Sequence, residues 1–331
     1  MMNSGRQRHL SGLIRMALCL SFGLLASQAA AQTSSQSGPS VGAVAIDGAK
    51  LAKSVPNAKS AKSGRRKPNR PNLIYKEVGD RELHLDIYYP AHQSEAKQLA
   101  WPTIVWIHGG GWHKGSKDKC PIIWLCEHGY AVASVEYRLT DEARWPSQLQ
   151  DCRAAVQHLR ERASEYGLNA ARIGACGGSA GGHLVATMAT VDLGDSEQKQ
   201  RVQAVCDFYG PTDLLTMPNN VVSSEKTREQ LASVPGAKLL GGIVSEQLDK
   251  AKAASPWWQA STGDVPMMIV HGDADEQVPL VQSQRLHEKL QSLEVASELL
   301  VVPGAGHGMK HFSSEDVRAK IVKFFDRYLK R

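Results

Sequence analysis

Short apolar runs separated by amphipathic segments dominate the chain from Pro71 onward. Six of these runs are mostly apolar over four to seven residues, as is typical of parallel strands buried on both faces of a sheet. They are Thr103–Ile107, Ala131–Val135, Ile173–Cys176, Val202–Phe208, Pro266–Val270 and Leu299–Val302. Ahead of them, apolar and polar residues alternate from Leu83 to Tyr89, which is the period of a half-exposed antiparallel strand.

Helical periodicity separates the predicted strands. Apolar residues recur at helical spacing after Pro146, after Pro279 and between Ser313 and Leu329. Strands that alternate with helices, behind an antiparallel start, predict an α/β protein with a mostly parallel sheet and helices on both faces. Residues 212–264 interrupt the alternation, and we interpret them as a short cap insertion at one end of the sheet.

The first 31 residues have the pattern of a secretory signal peptide. Three arginines without an acidic residue accompany an apolar run of eleven residues, Met16–Ala26, which is followed by the small residues Ala29 and Ala31. A bilayer span needs about twenty apolar residues, so this run is too short to be one. We therefore expect cleavage after Ala31, a secreted or periplasmic mature chain and no integral membrane span.

Residues 32–70 differ in composition from the rest of the chain. They contain eight Lys and Arg, a single acid and no aromatic residue. Such a segment buries too little apolar surface to fold, so it is predicted to be a disordered basic linker. The chain's net charge of +6 belongs to this segment and the signal peptide, and residues 71–331 are net acidic. This distribution argues against a nucleic-acid partner.

The sequence Gly177-Gly178-Ser179-Ala180-Gly181 fits the pattern G-x-S-x-G. A predicted strand ends just before it, and a helical pattern follows it. A sharp turn from strand to helix needs glycines where side chains would collide, and it exposes the serine hydroxyl at the carboxyl end of the strand. Ser179 is therefore the predicted nucleophile, with a glycine-rich packing turn as the alternative interpretation.

A nucleophilic serine needs a histidine to take its proton and an acid to orient that histidine. The loops after the last two predicted strands offer both, and the carboxyl ends of parallel strands meet at one edge of a sheet. Asp275 is the predicted acid because it lies deeper in its loop than Asp273, which is expected to form a turn. His307 is the predicted base because glycines frame it, whereas His311 is expected at the surface.

The glycine-rich loop 108–112, with the sequence HGGGW, follows the first buried strand. The backbone amides of Gly110 and Gly111, together with that of Ala180, are predicted to form an oxyanion hole. Trp112 is expected to contact substrate beside this loop. The remaining histidines near the motifs are expected to brace the loop or to have packing and supporting roles; they are His108, His113, His183 and His271.

Together these motifs resemble α/β-hydrolase esterases and, more narrowly, the bifunctional feruloyl/acetyl-xylan esterase-like family. The motifs that carry the resemblance are His108–Trp112 with Gly115 and Lys117, Glu136–Leu139, Trp145-Pro146 with Asp151, Gly177–His183 and His271–Pro279. The resemblance covers about residues 72–330 and implies an α/β-hydrolase catalytic domain over residues 71–331. Hormone-sensitive-lipase-like enzymes share the glycine loop, but they usually have Asp at the position of Gly178.

The resemblance and the predicted triad imply a secreted serine carboxylic-ester hydrolase that works through an acyl-enzyme without a cofactor or metal. The expected substrates are small esters or acylated polysaccharides with acetyl, other short acyl or feruloyl groups, because the polar insertion lacks the broad apolar face of a lipid-binding lid. A secreted serine exopeptidase or an arylformamidase-like amide hydrolase would use the same triad. A non-catalytic carbohydrate-binding protein is the alternative from a different class. Oligomeric state and cysteine pairing stay open.

Overall fold

The structure of the protein, a computed structural model, describes residues 66–91, 100–191 and 195–330. The predicted signal peptide and all of the predicted linker up to residue 65 lie outside the described residues. Within those ranges eight strands form one sheet. In chain order they are β1 Arg70–Val78, β2 Arg81–Tyr88, β3 Trp101–Ile107, β4 Ala131–Val135, β5 Leu168–Gly178, β6 Val205–Phe208, β7 Met267–Gly272 and β8 Ser297–Val302.

The strand order across the sheet is β1-β2-β4-β3-β5-β6-β7-β8. The pairs β1–β2 and β2–β4 are antiparallel, and the other five pairs are parallel. All six predicted parallel strands are present, with ends that shift by a few residues. The mostly parallel sheet with an antiparallel start is therefore confirmed.

Helices connect the strands. The α-helices are α1 Ser147–Glu161, α2 Ala163–Tyr166, α3 Ala180–Thr190, α4 Arg228–Ser233, α5 Pro235–Leu240, α6 Leu248–Ala253, α7 Pro256–Gln259, α8 Val281–Ser292 and α9 Glu315–Leu329. Short 3₁₀ helices occupy Ile123–His128, Asp195–Gln200, Val244–Glu246 and Met309–Phe312. None of the helices in the described ranges has the length and apolar character that crossing a membrane requires.

The sheet has a packed hydrophobic layer on each face. In β3, Val105 and Ile107 pack into the layer that contains α1, α3 and α8, whereas Ile104 and Trp106 pack against α9 and the 3₁₀ helix Ile123–His128. Alternate residues of a strand point to opposite faces, so the apolar runs detected in the sequence fill both layers. The prediction of helices on both faces is confirmed.

Local sequence accounts for the ends of several helices. The Ser314 side chain accepts a hydrogen bond from the Val317 amide at the start of α9, and the acids of the first turn face the positive end of the helix dipole. In the insertion, Thr227 and Gln230 form a capping box at the start of α4. The insertion 212–264 thus folds into four short helices, α4–α7, between β6 and β7.

The antiparallel strands expected at the start of the sheet are β1 and β2, but no residues were predicted for β1. It begins at Arg70, inside the segment that the composition assigned to the linker, and the Asn69 side chain accepts a hydrogen bond from the Tyr89 amide. β1 lies at the edge of the sheet, and register shifts after Arg70 and after Ile74 interrupt its pairing with β2. An edge strand with such irregularities does not show the clean alternation by which strands are recognised.

Candidate active site

Ser179 lies in the turn between β5 and α3. Its backbone angles, φ 56° and ψ −119°, are rare for a residue with a side chain, so the turn is strained. The Ser179 amide donates a hydrogen bond to the carbonyl of Phe208 (2.9 Å), which holds the turn against β6. A Cβ at Gly181 would overlap the carbonyl oxygen of Ile107, so only glycine allows α3 to start this close to β3.

The structure brings the three predicted catalytic side chains together. His307 Nε2 lies 2.9 Å from Ser179 Oγ, and His307 Nδ1 lies 2.8 Å from Asp275 Oδ2. A carboxylate only accepts, so Nδ1 carries the proton and donates to Asp275, and Nε2 is left to accept from the serine hydroxyl. This tautomer is the one that a general base for Ser179 requires.

The Asp275 carboxylate is buried, and both of its oxygens accept hydrogen bonds. Its Oδ1 accepts hydrogen bonds from the amides of Gln277 (2.9 Å) and Val278 (3.0 Å). Burial acts to raise the pKa of Asp275, but hydrogen bonds from His271, His307 and the Val278 amide outweigh burial and hold the pKa below its ordinary range. Asp275 is therefore ionised and held in one orientation at neutral pH.

His271, at the carboxyl end of β7, supports the same carboxylate. Its Nε2 donates to the Val278 carbonyl (2.8 Å) and lies 3.4 Å from Asp275 Oδ2, while Nδ1 accepts from the Ser283 hydroxyl (2.6 Å) in α8. The ring is completely buried. It ties the acid-bearing loop to α8, a role that the sequence assigned only in general terms because the signal is one histidine at a strand end.

Asp273 and His311 do not join this arrangement. Asp273 accepts a hydrogen bond from the Gly304 amide (2.6 Å) and is exposed, which is the turn role predicted for it. His311 lies half-buried in the 3₁₀ helix after the His307 loop and has no hydrogen bond to Asp275 or Ser179 among the described contacts.

The glycine loop 108–112 lies beside Ser179. Gly110 and Gly111 have φ angles of 116° and 60°, and a Cβ at Gly110 would overlap the Lys114 carbonyl. The Ala180 amide belongs to the first turn of α3, where no intrahelical carbonyl is in reach. These three residues and Ser179 line one cavity, so the predicted oxyanion donors are next to the predicted nucleophile.

Two aromatic pairs brace this loop, one stacked and one edge-to-face. His108 stacks on Tyr137 with 4.4 Å between ring centroids, and the Tyr137 hydroxyl donates to the His108 carbonyl (3.0 Å). Trp112 is only 4% exposed, and its Nε1 donates to His183 Nδ1 (3.2 Å). His183 in turn donates from Nε2 to the Ala254 carbonyl (2.6 Å).

Burial lowers the pKa of His183 to about 4, so the ring stays neutral and keeps the acceptor that Trp112 needs. The Trp112 ring forms part of the cavity wall, but most of its surface packs in the core. Its expected substrate contact is therefore limited to the wall, and its larger role is to anchor the glycine loop.

The cavity above Ser179 has a volume of about 470 Å³. Much of its wall is apolar and is formed by Trp106, Tyr209, Pro211, Leu214, Met217, Pro235, Val278 and Met309. The polar lining residues are His113, Lys114, Asn219, Asn220 and Gln277. Of these, Lys114, Asn219 and Gln277 are exposed. Insertion residues, among them Leu214, Met217 and Pro235, thus supply part of the wall.

A mostly parallel sheet that presents a strained serine after its fifth strand, with acid and histidine from the loops after β7 and β8, defines an α/β-hydrolase. The BD-FAE family model matches residues 85–290, and the chain belongs to this family.

Two solved structures with a similar fold are esterases. A truncated form of a carbohydrate esterase from gut microbiota is 30% identical, with a TM-score of 0.69, over 79% of this chain and 96% of that chain. A butyrate-bound esterase of the Planctomycetes species Thermogutta terrifontis is 26% identical, with a TM-score of 0.61, over 78% of this chain and 93% of that chain.

Curated relatives include esterases as well. Esterase LipC of Mycobacterium tuberculosis is 26% identical over 62% of this chain and 53% of its own length. An acetyl esterase of Salmonella paratyphi B is 27% identical over 69% of either chain. The chain spans about half the length of the mycobacterial esterases that it matches.

Proposed function

We propose that this protein is a serine carboxylic-ester hydrolase. The observation that carries the proposal is the chain of hydrogen bonds from Ser179 Oγ through His307 to Asp275, with both distances below 3 Å. Ser179 and His307 line the same cavity as the glycine loop. The esterases among its relatives support the same chemistry.

In the first half of the reaction, Ser179 Oγ attacks the ester carbonyl carbon and its proton passes to His307 Nε2. The carbonyl oxygen becomes an oxyanion that accepts hydrogen bonds from the amides of Gly110, Gly111 and Ala180; each such donor typically lowers the barrier by about 3 kcal/mol. When the tetrahedral intermediate collapses, the bond to the alcohol oxygen breaks and His307 returns the proton to that oxygen. The products are a free alcohol and an acyl-Ser179 ester.

In the second half, water replaces the alcohol. His307 takes a proton from the water, the oxygen attacks the acyl carbon, and the same amides stabilise the second oxyanion. Collapse releases the carboxylic acid, and Ser179 Oγ recovers its proton from His307. Asp275 stays ionised throughout and stabilises the imidazolium that forms at each attack.

The proposed substrates are short acyl esters, chiefly acetyl, on saccharides, with feruloyl esters second. A cavity of about 470 Å³ with exposed polar side chains among its lining residues supports a small acyl group on a polar alcohol. The names of two relatives, a carbohydrate esterase and an acetyl esterase, support the same classes. The amino-terminal pattern supports export from the cytoplasm as part of this proposal.

An acyl-chain series tests the proposal. For esters of one alcohol, kcat/KM is expected to be highest at about two to four acyl carbons and to fall beyond, because the cavity wall limits the length of the acyl group. A peptide and a formamide belong in the same panel. A maximum at about eight carbons or more, or faster turnover of either amide, would contradict the proposed substrate class.

A further inference from the structure

A second groove lies beside the active-site cavity. It has a volume of about 440 Å³ and is formed by the glycine loop, the segment before the first 3₁₀ helix and the first residue of the 3₁₀ helix Met309–Phe312. We call it the annex; its lining residues are Trp106, His108, Gly109, Gly115, Ser116, Lys119, Cys120, Pro121 and Met309. Trp106, Gly109 and Met309 also line the active-site cavity, so the two spaces are adjacent.

The position of the annex relates it to the alcohol part of an ester. His307 returns its proton to the leaving oxygen, so the alcohol must begin next to His307 Nε2. Met309 follows His307 by two residues and forms the boundary between the cavity and the annex. A group attached to the leaving oxygen can therefore extend past Met309 into the annex. The acyl group would then lie in the part of the cavity that the insertion residues line.

The chemistry of the annex suits a ring with one apolar face. Trp106 is 3% exposed and its Nε1 donates to the Lys119 carbonyl (3.1 Å), so the small part of the indole that reaches the annex is apolar. Pro121 and Met309 add further apolar wall, and the polar side chains of Ser116 and Lys119 lie on the same lining. A pyranose ring has apolar C–H faces and hydroxyl groups at its edge. The faces can pack on the apolar wall, and the hydroxyl groups can contact the polar side chains of the lining.

We propose that the annex binds the sugar ring that carries the ester and so determines alcohol specificity. The inference rests on the proposed esterase function and adds the site that recognises the alcohol. It requires the ring to affect formation of the acyl-enzyme, because the bond to the alcohol breaks in that step. Hydrolysis of the acyl-enzyme occurs after the alcohol has left, so the annex has no effect on that step.

The variant Ser116→Phe tests this assignment by filling the annex. Two acetates serve as substrates, a methyl pyranoside monoacetate and ethyl acetate, because both form the same acetyl-enzyme. In Ser116→Phe, the ratio of kcat/KM for the sugar ester to kcat/KM for ethyl acetate is expected to fall roughly tenfold. The rate of acetyl-enzyme hydrolysis, measured in single turnovers, is expected to be the same for both substrates and unaffected by the substitution.

Two further variants keep the test specific. Ser292→Phe adds the same side chain at the exposed end of α8 and is expected to leave the ratio unchanged. Ser116→Ala removes a polar side chain of the lining, with its hydrogen bond to Asp118 (2.9 Å), but does not fill the annex. It is expected to lower the ratio much less than Ser116→Phe does, and an equal loss in the two variants would overturn the proposal. An unchanged ratio in Ser116→Phe, or a changed preference among acyl groups, would also overturn it. Failure of the wild-type protein to form any acyl-enzyme would instead contradict the esterase function itself.

Discussion

At the scale of single residues, two carboxylates in one loop have different surroundings. Asp275 is buried and contacts His307, whereas Asp273 is exposed and contacts the Gly304 amide. Asp275→Asn should lower kcat on a small ester by about 10⁴, because the imidazole loses the partner that fixes its tautomer. Asp273→Asn should keep kcat within a few-fold and cost about 1 kcal/mol of stability. If Asp273→Asn were the more damaging change for kcat, the acid would be misassigned.

Asp207 is a second buried carboxylate, and it predicts a pH-dependent stability. Its Oδ1 accepts from the Gly210 amide (2.9 Å), while its Oδ2 has no hydrogen-bond partner among the described residues. Burial raises the pKa of Asp207 to about 6, although the Gly210 amide and His271 oppose the rise. The folded state therefore holds a proton that the unfolded state has lost between about pH 4 and pH 6, so ionisation of Asp207 destabilises the fold as pH rises through that window.

Asp207→Asn removes this ionisation. The free energy of unfolding of Asp207→Asn minus that of the wild type should increase by about 2 kcal/mol from about pH 4 to about pH 8. Denaturant unfolding of both proteins at the two pH values measures this difference. The other titrating groups contribute equally to both proteins, so their contributions cancel. A pH-independent difference would show that Asp207 does not titrate in this range.

The predicted triad residues could be found from the sequence because each follows a recognisable strand. Ser179, Asp275 and His307 come after β5, β7 and β8, and parallel strands bring their carboxyl ends to one edge. The supporting contacts of His271 and His183 could not be predicted, since they join residues whose proximity depends on side-chain packing across several elements.

At the scale of elements, the turn from β5 to α3 depends on a close approach of backbones. Gly181→Ala would place a Cβ against the Ile107 carbonyl, so the start of α3 and Ser179 must shift. We expect kcat/KM to fall at least about a hundredfold, as is typical when a reacting group moves by about 1 Å. Gly129→Ala is the control, because its Cβ meets no atom within 4 Å and adds only the strain of an alanine at φ 75°, away from Ser179. Equal activity losses in both variants would contradict a specific role for the turn.

The strand and helix predictions were most accurate for the buried elements. Strands β3 and β4 are buried over most of their length and appear in the sequence as apolar runs. The edge strand β1 and the short helices α4–α7 were not predicted, because four- and six-residue helices show too little periodicity and depend on capping and tertiary contacts.

At the scale of the whole molecule, the described residues that line the active-site cavity all lie between Trp106 and Met309. Deletion of residues 32–65 should therefore leave kcat/KM on a small ester within about twofold. The deletion ends at residue 65 because Asn69 and Arg70 take part in the sheet. A large loss of turnover, with an unchanged unfolding transition, would show that the deleted segment contributes to the site.

The central claim is that Ser179 is an activated nucleophile, and covalent labelling tests it most directly. A fluorophosphonate probe should label the wild-type protein, and peptide mass spectrometry should locate the adduct on Ser179, since His307 Nε2 lies 2.9 Å from its hydroxyl. Ser179→Ala should remain folded, resist labelling and lose at least about a thousandfold in kcat. Wild-type protein that is folded but unlabelled, or that carries the adduct on another residue, would contradict the account.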